Sequence, residues 1–256
     1  MTFFEIACME IDYDSIAVLY DTYVTADFDI AFFTDEVRRT PGAVLELTSG
    51  TGRLSVPLIE LGTDLTCVDV SRGMLDVLQR KLDDRGLEAE IRCADVCHLE
   101  LERRFDLAIL PFHSFMEILG EERQRACLDS VYNCLNRGGR FICTLQNPPV
   151  RGAQVDGVLR LVGRFPAEDG TLVVSGVEQG GRLRVSRLQF FECFGPDGLL
   201  RWKRALPMAF VLVERSAFER MTEGAGFRVV ELYGNYDRAP FDDRHSPAMI
   251  FVLEKP

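Results

Sequence analysis

The sequence predicts an α/β fold: a mostly parallel sheet covered by helices on both faces, with an antiparallel β insertion late in the chain. Three observations carry this. Between residues 43 and 147, short apolar runs alternate with helix-patterned segments, the rhythm of parallel strands joined by crossover helices. Runs such as LAIL (107–110) are apolar at consecutive positions, as a strand buried on both faces requires. Between 151 and 213 the helical periodicity gives way to successive β-rich runs.

Taken in order, residues 10–39 read as helical, because Ile11, Ile16, Val18, Leu19 and Tyr23 recur at helix-like spacings until Pro41-Gly42 breaks the pattern. AVLELTS (43–49) is a strand and GRLSVPLIEL (52–61) a helix, in which Pro57 demands a kink or a later start if the helix begins at Gly52. DLTCVDV (64–70) is a strand; the helix 71–86 has Ser71 as its N-cap and Gly86 as its stop. Strands at 88–96 and 104–112 precede a helix at 121–139, ended by Gly138-Gly139, and a strand at 140–147. The insertion holds four strand-like runs (158–165, 171–177, 183–194 and 199–213), with Gly195-Pro196-Asp197-Gly198 as a hairpin turn. A helix at 216–226 follows, and the strands 227–234 and 248–255 pair as a closing hairpin.

Composition narrows the function. At 256 residues the chain is long for one core and short for two, which suits one α/β domain with an insertion. Forty acids against 29 bases give a net charge of −11, which disfavours a nucleic-acid partner. The basic residues of 182–187 and 201–204 alternate with apolar ones, as on a strand with a solvated face. No apolar run approaches the ~18 residues of a membrane span, and MTFFEIACMEIDYDS carries no basic leader, so the expected location is cytoplasmic. Eight cysteines scatter through predicted elements like small hydrophobes, in keeping with reduced thiols. Cys93, Cys97 and His98 match no standard zinc spacing, and no metal is expected.

The stretch LELTSGTGRL (45–54) poses the chemical question. Gly50 and Gly52 sit at a strand-to-helix turn, the usual ligand cradle of an open parallel sheet, where a missing Cβ lets a ligand approach the backbone and the helix start offers free N–H groups. A dinucleotide fingerprint needs a third glycine where this chain has Ser55. Glu46 lies four residues before Gly50; an anion there opposes a pyrophosphate and favours a cationic nucleoside such as S-adenosylmethionine. Asp69, at the tip of the second strand, suits two ribose hydroxyls under either reading. Asp95 suits either the adenine amine or a local helix cap, and Val96 offers its backbone N–H to the ring.

With LELTSGTG, LTCVDVSRGML, ADV and FDLAILPFHSF in order, the chain resembles the class I S-adenosylmethionine-dependent methyltransferases over roughly residues 40–147 and again over 216–255. The resemblance implies a Rossmann-like seven-stranded methyltransferase sheet, mostly parallel with an antiparallel last strand. Its cofactor-binding domain spans 1–150 and 214–256, residues 1–40 form an N-terminal helical lid, and 151–213 form a lid or a dimer interface. The leading YDSIAVLYDTY helix and the β insertion resemble small-molecule methyltransferases, including those acting on amino sugars. By this resemblance Glu46, Thr48, Ser49 and Gly50 lie by the cofactor's methionine part and Gly52 allows the close approach. Asp69 and Val70 take the ribose side, Met74 packs near the adenosine, and Ala94, Asp95 and Val96 surround adenine. Leu110 and Pro111 end the fourth strand beside the methyl group, and Tyr13 and Tyr20, seven apart on one helix face, close over the cofactor. Arg53 either pairs with the cofactor carboxylate or is a solvated first-turn arginine. The family often has glycine where this chain has Thr48, a stiffer residue.

Methyl transfer from a sulfonium needs positioning, worth ~7–11 kcal/mol, and a deprotonated nucleophile. An amine of pKa ~10.4 pays roughly 4.6 kcal/mol to expose its lone pair at pH 7. His113 follows the fourth strand and titrates in the range that suits a general base, or else it orients the substrate. Glu117 either anchors a substrate cation or is a helix-leading glutamate on a wet face, the reading preferred here; His245 reads as a solvated loop residue and His98 as local. Trp202, Phe190 and Phe194 either wall the acceptor pocket or form the insertion's own core, the reading preferred here. The expected activity is methyl transfer to a nitrogen or oxygen of a small-molecule acceptor. A cofactor-binding scaffold without turnover and a nicotinamide dehydrogenase are the competing readings.

Overall fold

The structure, a computed structural model, describes residues 11–168 and 170–256. Cys8, one of the eight cysteines, lies outside them. A 3-10 turn at Tyr13–Ile16 leads into α1 (Ala17–Tyr23) and then α2 (Ile30–Arg38). The single helical stretch expected over 10–39 is broken at 24–29. Val24 and Thr25 are poor helix formers, and tertiary contacts decide the break: Asp29 is drawn into an ion pair with Arg53, and Phe28 stacks on Phe112.

The next elements are β1 (Val44–Leu47), α3 (Ser55–Glu60), β2 (Leu65–Asp69), α4 (Arg72–Arg85), β3 (Glu90–Cys93) and β4 (Phe105–Leu110). The helix expected from Gly52 starts three residues later because Gly52 has φ 83°, outside helical space. Pro57 then falls in the first turn of α3, where its missing N–H has no intrahelical acceptor to lose. α4 has the expected caps: Ser71 Oγ accepts from Met74 N at 3.2 Å, and Gly86 takes φ 63°.

α5 (Glu121–Cys134) stops before the two glycines, and β5 (Leu135–Gln146) contains them. This corrects the expectation that Gly138-Gly139 ends the helix. Leu135 is buried and pairs with Phe105, and the register shifts before Leu107 pairs with Arg140. The glycines absorb that bulge: Gly138 has φ 77°, and a Cβ on Gly139 would lie 2.8 Å from Asn136 O. The short α6 (Pro148–Gly152) leads into β6 (Arg160–Ala167), β7 (Gly170–Gly180), β8 (Arg184–Phe194) and β9 (Leu200–Val211), followed by α7 (Arg215–Gly224), β10 (Arg228–Tyr233) and β11 (Ala248–Glu254).

The main sheet has seven strands in the order β10-β11-β5-β4-β1-β2-β3, parallel except for β11, which runs antiparallel to both neighbours. Strand order reverses between β1 and β4, so the carboxyl ends of β1, β2 and β4 frame a crevice. Alternation along the strands divides the core. Leu45, Leu47, Ala108 and Leu110 pack with α5 and α7 residues, whereas Val44, Cys67, Leu107 and Ile109 pack with α2, α3 and α4 residues. The four insertion strands form a separate antiparallel meander, β6-β7-β8-β9. Leu172, Val174, Phe191 and Leu206 pack against Ile16, Ala17, Met74 and Val77, so the meander covers the N-terminal segment. Trp202 joins this cluster as a partly buried member.

Candidate active site

The crevice at the end of β1 is lined by Tyr20, Glu46, Thr48, Ser49, Gly50, Thr51, Arg53, Leu54, Pro111, Phe112 and Ser114. Glu46 follows Val44 by two positions and so projects to the same face of the sheet. Its carboxyl is buried at 1 % exposure, yet Oε2 has no hydrogen-bond partner. Burial pushes the group up to about 8, opposed by Ser55 and by the positive charge of Arg53. A buried carboxyl with an empty acceptor position is suited to a cationic or N–H-bearing ligand group.

The turn itself is held from behind. Gly50 N donates to Asp69 Oδ2 at 2.8 Å, and Ser71 N to Asp69 Oδ1 at 2.8 Å. The Val70 N–H also acts on this carboxylate, which keeps acceptor capacity for a ligand hydroxyl. Burial raises Asp69, and these N–H groups hold it down. No heavy atom lies within 4 Å of a Cβ built on Gly50, so that glycine borders open space. Gly52 differs: its Cβ would lie 2.3 Å from Leu78 Cδ1. Its lack of a side chain lets α4 pack against the turn, which corrects the expectation that it makes room for a ligand. Thr48 holds φ 55°, with its Oγ1 donating to Leu47 O at 2.6 Å. A β-branched residue in the left-handed region costs about 1–2 kcal/mol.

Arg53 departs from the solvated reading. It makes two bonds to Asp29, at 2.6 and 2.7 Å, and a third to Ala26 O at 2.9 Å, with its guanidinium 4.6 Å from the Phe112 ring centre. Its guanidinium is held mainly inside the protein and is not a solvated first-turn arginine, though it still lines the crevice. Asp14 and Asp21 also pin the N-terminal segment. Asp14 accepts from Ser71 Oγ and Gly73 N, both at 2.6 Å, and Asp21 accepts from Thr51 Oγ1 at 2.7 Å while pairing with Lys81 at 2.6 Å. Tyr20 lines the crevice, and Tyr13 lies 6.2 Å from it, ring centre to ring centre. Tyr13 donates to Glu117 Oε1 at 2.9 Å. Glu117 is therefore not on a wet face; burial raises its carboxyl to about 7.

Further along, Val70 is exposed at the tip of β2. Ala94 N donates to Asp69 O at 3.0 Å, placing 94–96 beside that tip. Asp95 is occupied: Oδ1 accepts from Cys97 N at 2.9 Å and Oδ2 pairs with Arg123 at 2.8 Å, so the local-cap reading describes its contacts. Val96 and Leu110 are core residues, and Met74 is buried under Ile16 and Ala17. His98 is exposed, and the exposed His245 pairs with Asp242 at 3.0 Å.

His113 borders a second hollow, a cavity of about 420 Å³ shared with Phe28, Gln146, Arg151, Asn235, Tyr236 and Asp237, among others. Phe112 and His113 both take left-handed backbone, φ 56° and 66°. Phe112 lines the Glu46 crevice and its neighbour His113 the cavity, so the two hollows adjoin at this pair. His113 N donates to Thr144 Oγ1 at 3.1 Å, and Nδ1 is buried without a partner. Burial drives the imidazole down to about 4, so it is uncharged at neutral pH, which corrects the expectation of titration near neutrality. Phe28 and Tyr236 escaped the sequence reading: Phe28 lay in an assumed helix, and Tyr236 lies in a loop with no motif.

Residues 44–139 match a family described as "Methyltransferase domain". The chain is 29% identical over 214 residues to the cypemycin N-terminal methyltransferase of a Streptomyces species, covering 83% of this chain and 82% of that protein. Its fold is shared with the CcbJ methyltransferase of Streptomyces caelestis (TM-score 0.80, 24% identity, 96% of this chain and 99% of that one). It is also shared with the sugar N-methyltransferase KedS8 of a Streptoalloteichus species (TM-score 0.76, 17% identity, 93% and 91%). The crevice fits the cofactor of that class: an orphaned buried carboxyl, an open glycine and an aspartate with spare acceptor capacity stand at the first two strand ends. Residues 44–139 are thus a methyltransferase domain by sequence, and the whole chain has the fold of the class I S-adenosylmethionine-dependent methyltransferases, with S-adenosylmethionine the cofactor that the crevice fits.

Proposed function

We propose that the protein transfers a methyl group to an amine nitrogen of a small-molecule acceptor by in-line displacement. The observation that supports the proposal is that Phe112 lines the cofactor crevice while its neighbour His113 lines the adjoining cavity, where an acceptor would lie beside the cofactor. S-adenosylmethionine supplies a methyl on a positively charged sulfur and leaves as S-adenosylhomocysteine. Glu46 balances the cofactor's positive charge, Asp69 accepts from its ribose hydroxyls and Gly50 leaves room for it. Where the two hollows adjoin, His113, being uncharged, accepts a hydrogen bond from a neutral amine and orients its lone pair. The new N–C bond forms from that lone pair as the C–S bond breaks, and the methylated ammonium then loses its proton to water. A nitrogen acceptor is supported by the names of the relatives, an N-terminal methyltransferase and a sugar N-methyltransferase. The cavity's single cationic lining residue, Arg151, is already paired with Glu178 at 2.5 Å and suits no carboxylate.

The seven free thiols among the described residues support a cytoplasmic setting. A homodimer through the insertion is supported by exposed Leu159, Leu161 and Val162 beside or on the edge strand β6; a strictly monomeric scattering profile rejects it. The activity is tested by incubating the purified protein with S-adenosylmethionine carrying an isotopically labelled methyl group and a panel of small amines, read by mass spectrometry. Label on nitrogen supports the proposal. Separate calorimetric titrations that detect NAD binding but no S-adenosylmethionine binding overturn it.

A further inference from the structure

The cavity of about 420 Å³ beside His113 has the size of a small-molecule site, which spans roughly 300–1,000 Å³. Its polar walls are largely committed to the protein. Gln146 Oε1 accepts from Arg151 Nε at 3.0 Å, and Arg151 pairs with Glu178 at 2.5 Å. Asn235 Oδ1 accepts from Asp237 N and Ala239 N, both at 3.0 Å. The Tyr236 hydroxyl is buried beside Thr144 and is not offered to the cavity. Asp237 and Gln154 are exposed and stand at the rim.

The apolar wall is the reverse. Phe28 stacks on Phe112 with 19° between the ring planes and meets the Tyr236 ring at 5.3 Å, yet it remains 55 % exposed. Val150, Pro247 and Ala248 continue the same lining. A single exposed phenylalanine needs no explanation on a surface, but this one lines a cavity and its backbone is fixed on both sides. Arg53 donates to Ala26 O at 2.9 Å and to the Asp29 carboxylate at 2.6 and 2.7 Å. A ring held at a set angle with half its surface uncovered is ready to stack on a flat guest, and offset-stacked rings attract one another beyond the area they bury.

Resting on the amine reading above, we infer that the acceptor is an arylalkylamine, an amine on a short chain from a flat aromatic ring, and that Phe28 sets this specificity by stacking on the ring. Phe28 also stacks on Phe112, at the edge of the Glu46 crevice, so a ring on Phe28 lets its chain carry the nitrogen to His113 where the two hollows adjoin. Each O–H of a hydroxyl-rich acceptor must find an acceptor atom or give up its hydrogen bond to water. The side-chain oxygens of Gln146 and Asn235 are already engaged, so such a molecule loses hydrogen bonds on entering. An aromatic body needs no such partner, and its transfer from water onto this wall is favourable. Asp237, exposed and with no cation within salt-bridge distance among the described residues, draws a protonated amine to the rim.

The test uses the full chain saturated with S-adenosylhomocysteine and three amines: phenethylamine, its ring-saturated analogue cyclohexylethylamine, and glucosamine. Binding of each is measured by calorimetry, and methylation by kcat/KM with S-adenosylmethionine. The wild type is expected to favour phenethylamine over glucosamine at least tenfold in both. Phe28→Leu keeps an apolar side chain but removes the flat ring. It is expected to weaken phenethylamine at least threefold and cyclohexylethylamine less than twofold, with S-adenosylhomocysteine affinity and Tm unchanged. Each amine is compared with itself across the two proteins, so differences in basicity cancel. A wild type that takes glucosamine as well as phenethylamine, a comparison that needs no variant, overturns the inference. Equal losses for the two ring amines, or a loss of S-adenosylhomocysteine affinity in Phe28→Leu, overturn the role given to Phe28. Failure of all three amines to bind while S-adenosylhomocysteine binds overturns the inference and leaves the cofactor assignment standing. Failure of S-adenosylhomocysteine to bind overturns it together with the function it rests on.

Discussion

Arg53 and Asp29 form a two-bonded ion pair beneath the Phe112 ring, with Asp29 fully buried and the Arg53 side chain 15 % exposed. The pair joins the glycine turn to the segment between α1 and α2, and sets Phe28 against Phe112 with 6.2 Å between ring centres. It therefore links the Glu46 crevice to the cavity that His113 borders.

Removing one partner leaves the other charge buried and uncompensated. Asp29→Ala is expected to destabilise the protein by about 3–5 kcal/mol, measured as a shift of the urea midpoint at constant m. The double variant Asp29→Ala/Arg53→Met is expected to lose less than Asp29→Ala alone, since no unpaired charge remains. Equal losses would show that the pair holds little of the loop's energy.

Thr48 offers the opposite sign. Placing glycine within regular structure costs about 0.5–1 kcal/mol, but relief of the left-handed strain returns about 1–2 kcal/mol. Thr48→Gly is expected to raise stability by up to about 1 kcal/mol in equilibrium denaturation, although it loses the bond to Leu47 O. A loss of 1 kcal/mol or more would mean that this hydroxyl outweighs the backbone.

Glu46 makes cofactor binding depend on pH. Its pKa is raised from 4.5 to about 8 in the free protein. The unfolded group therefore ionises first, and the stability it contributes is full below 4.5 and lost as pH rises through 8. A cation in the crevice favours the ionised form, so binding S-adenosylmethionine at pH 6–7 is expected to release a proton. Its affinity is then expected to rise by up to about tenfold per pH unit towards 8. Glu46→Gln is expected to lose both effects in calorimetry across buffers of different ionisation enthalpy. A wild type that releases no more protons than Glu46→Gln contradicts the placement of this carboxyl.

His113 is held down to about 4. Because its folded value is depressed, the imidazole stays neutral through the assay range, and its stability contribution is lost only as pH falls from 6.5 towards 4. The kcat/KM profile for an amine is therefore expected to rise with the acceptor's own ionisation above pH 8, with no limb at 6–7. A limb at 6–7 that disappears in His113→Gln would identify a base rather than a hydrogen-bond acceptor.

Much of this protein was legible in the chain alone. Apolar runs such as Leu107–Leu110 and the cap pair Ser71 and Gly86 announce strands and helix ends by local rules, because burial pattern and capping act within a few residues. The Gly50 turn and Glu46 stand where those rules put a ligand site, and the four meander strands follow from the loss of helical period. Tertiary structure decided the rest. Gly138 and Gly139 look like a helix stop but serve a bulge, since Leu135 gains more by pairing with Phe105 in the sheet. Gly52 is governed by Leu78, twenty-six positions away. The break at 24–29 and the meeting of the two hollows at Phe112 and His113 both depend on partners distant in sequence. Burial and ion pairing between remote segments shift charge, backbone and access by more than local propensity does, and no window along the chain contains both partners.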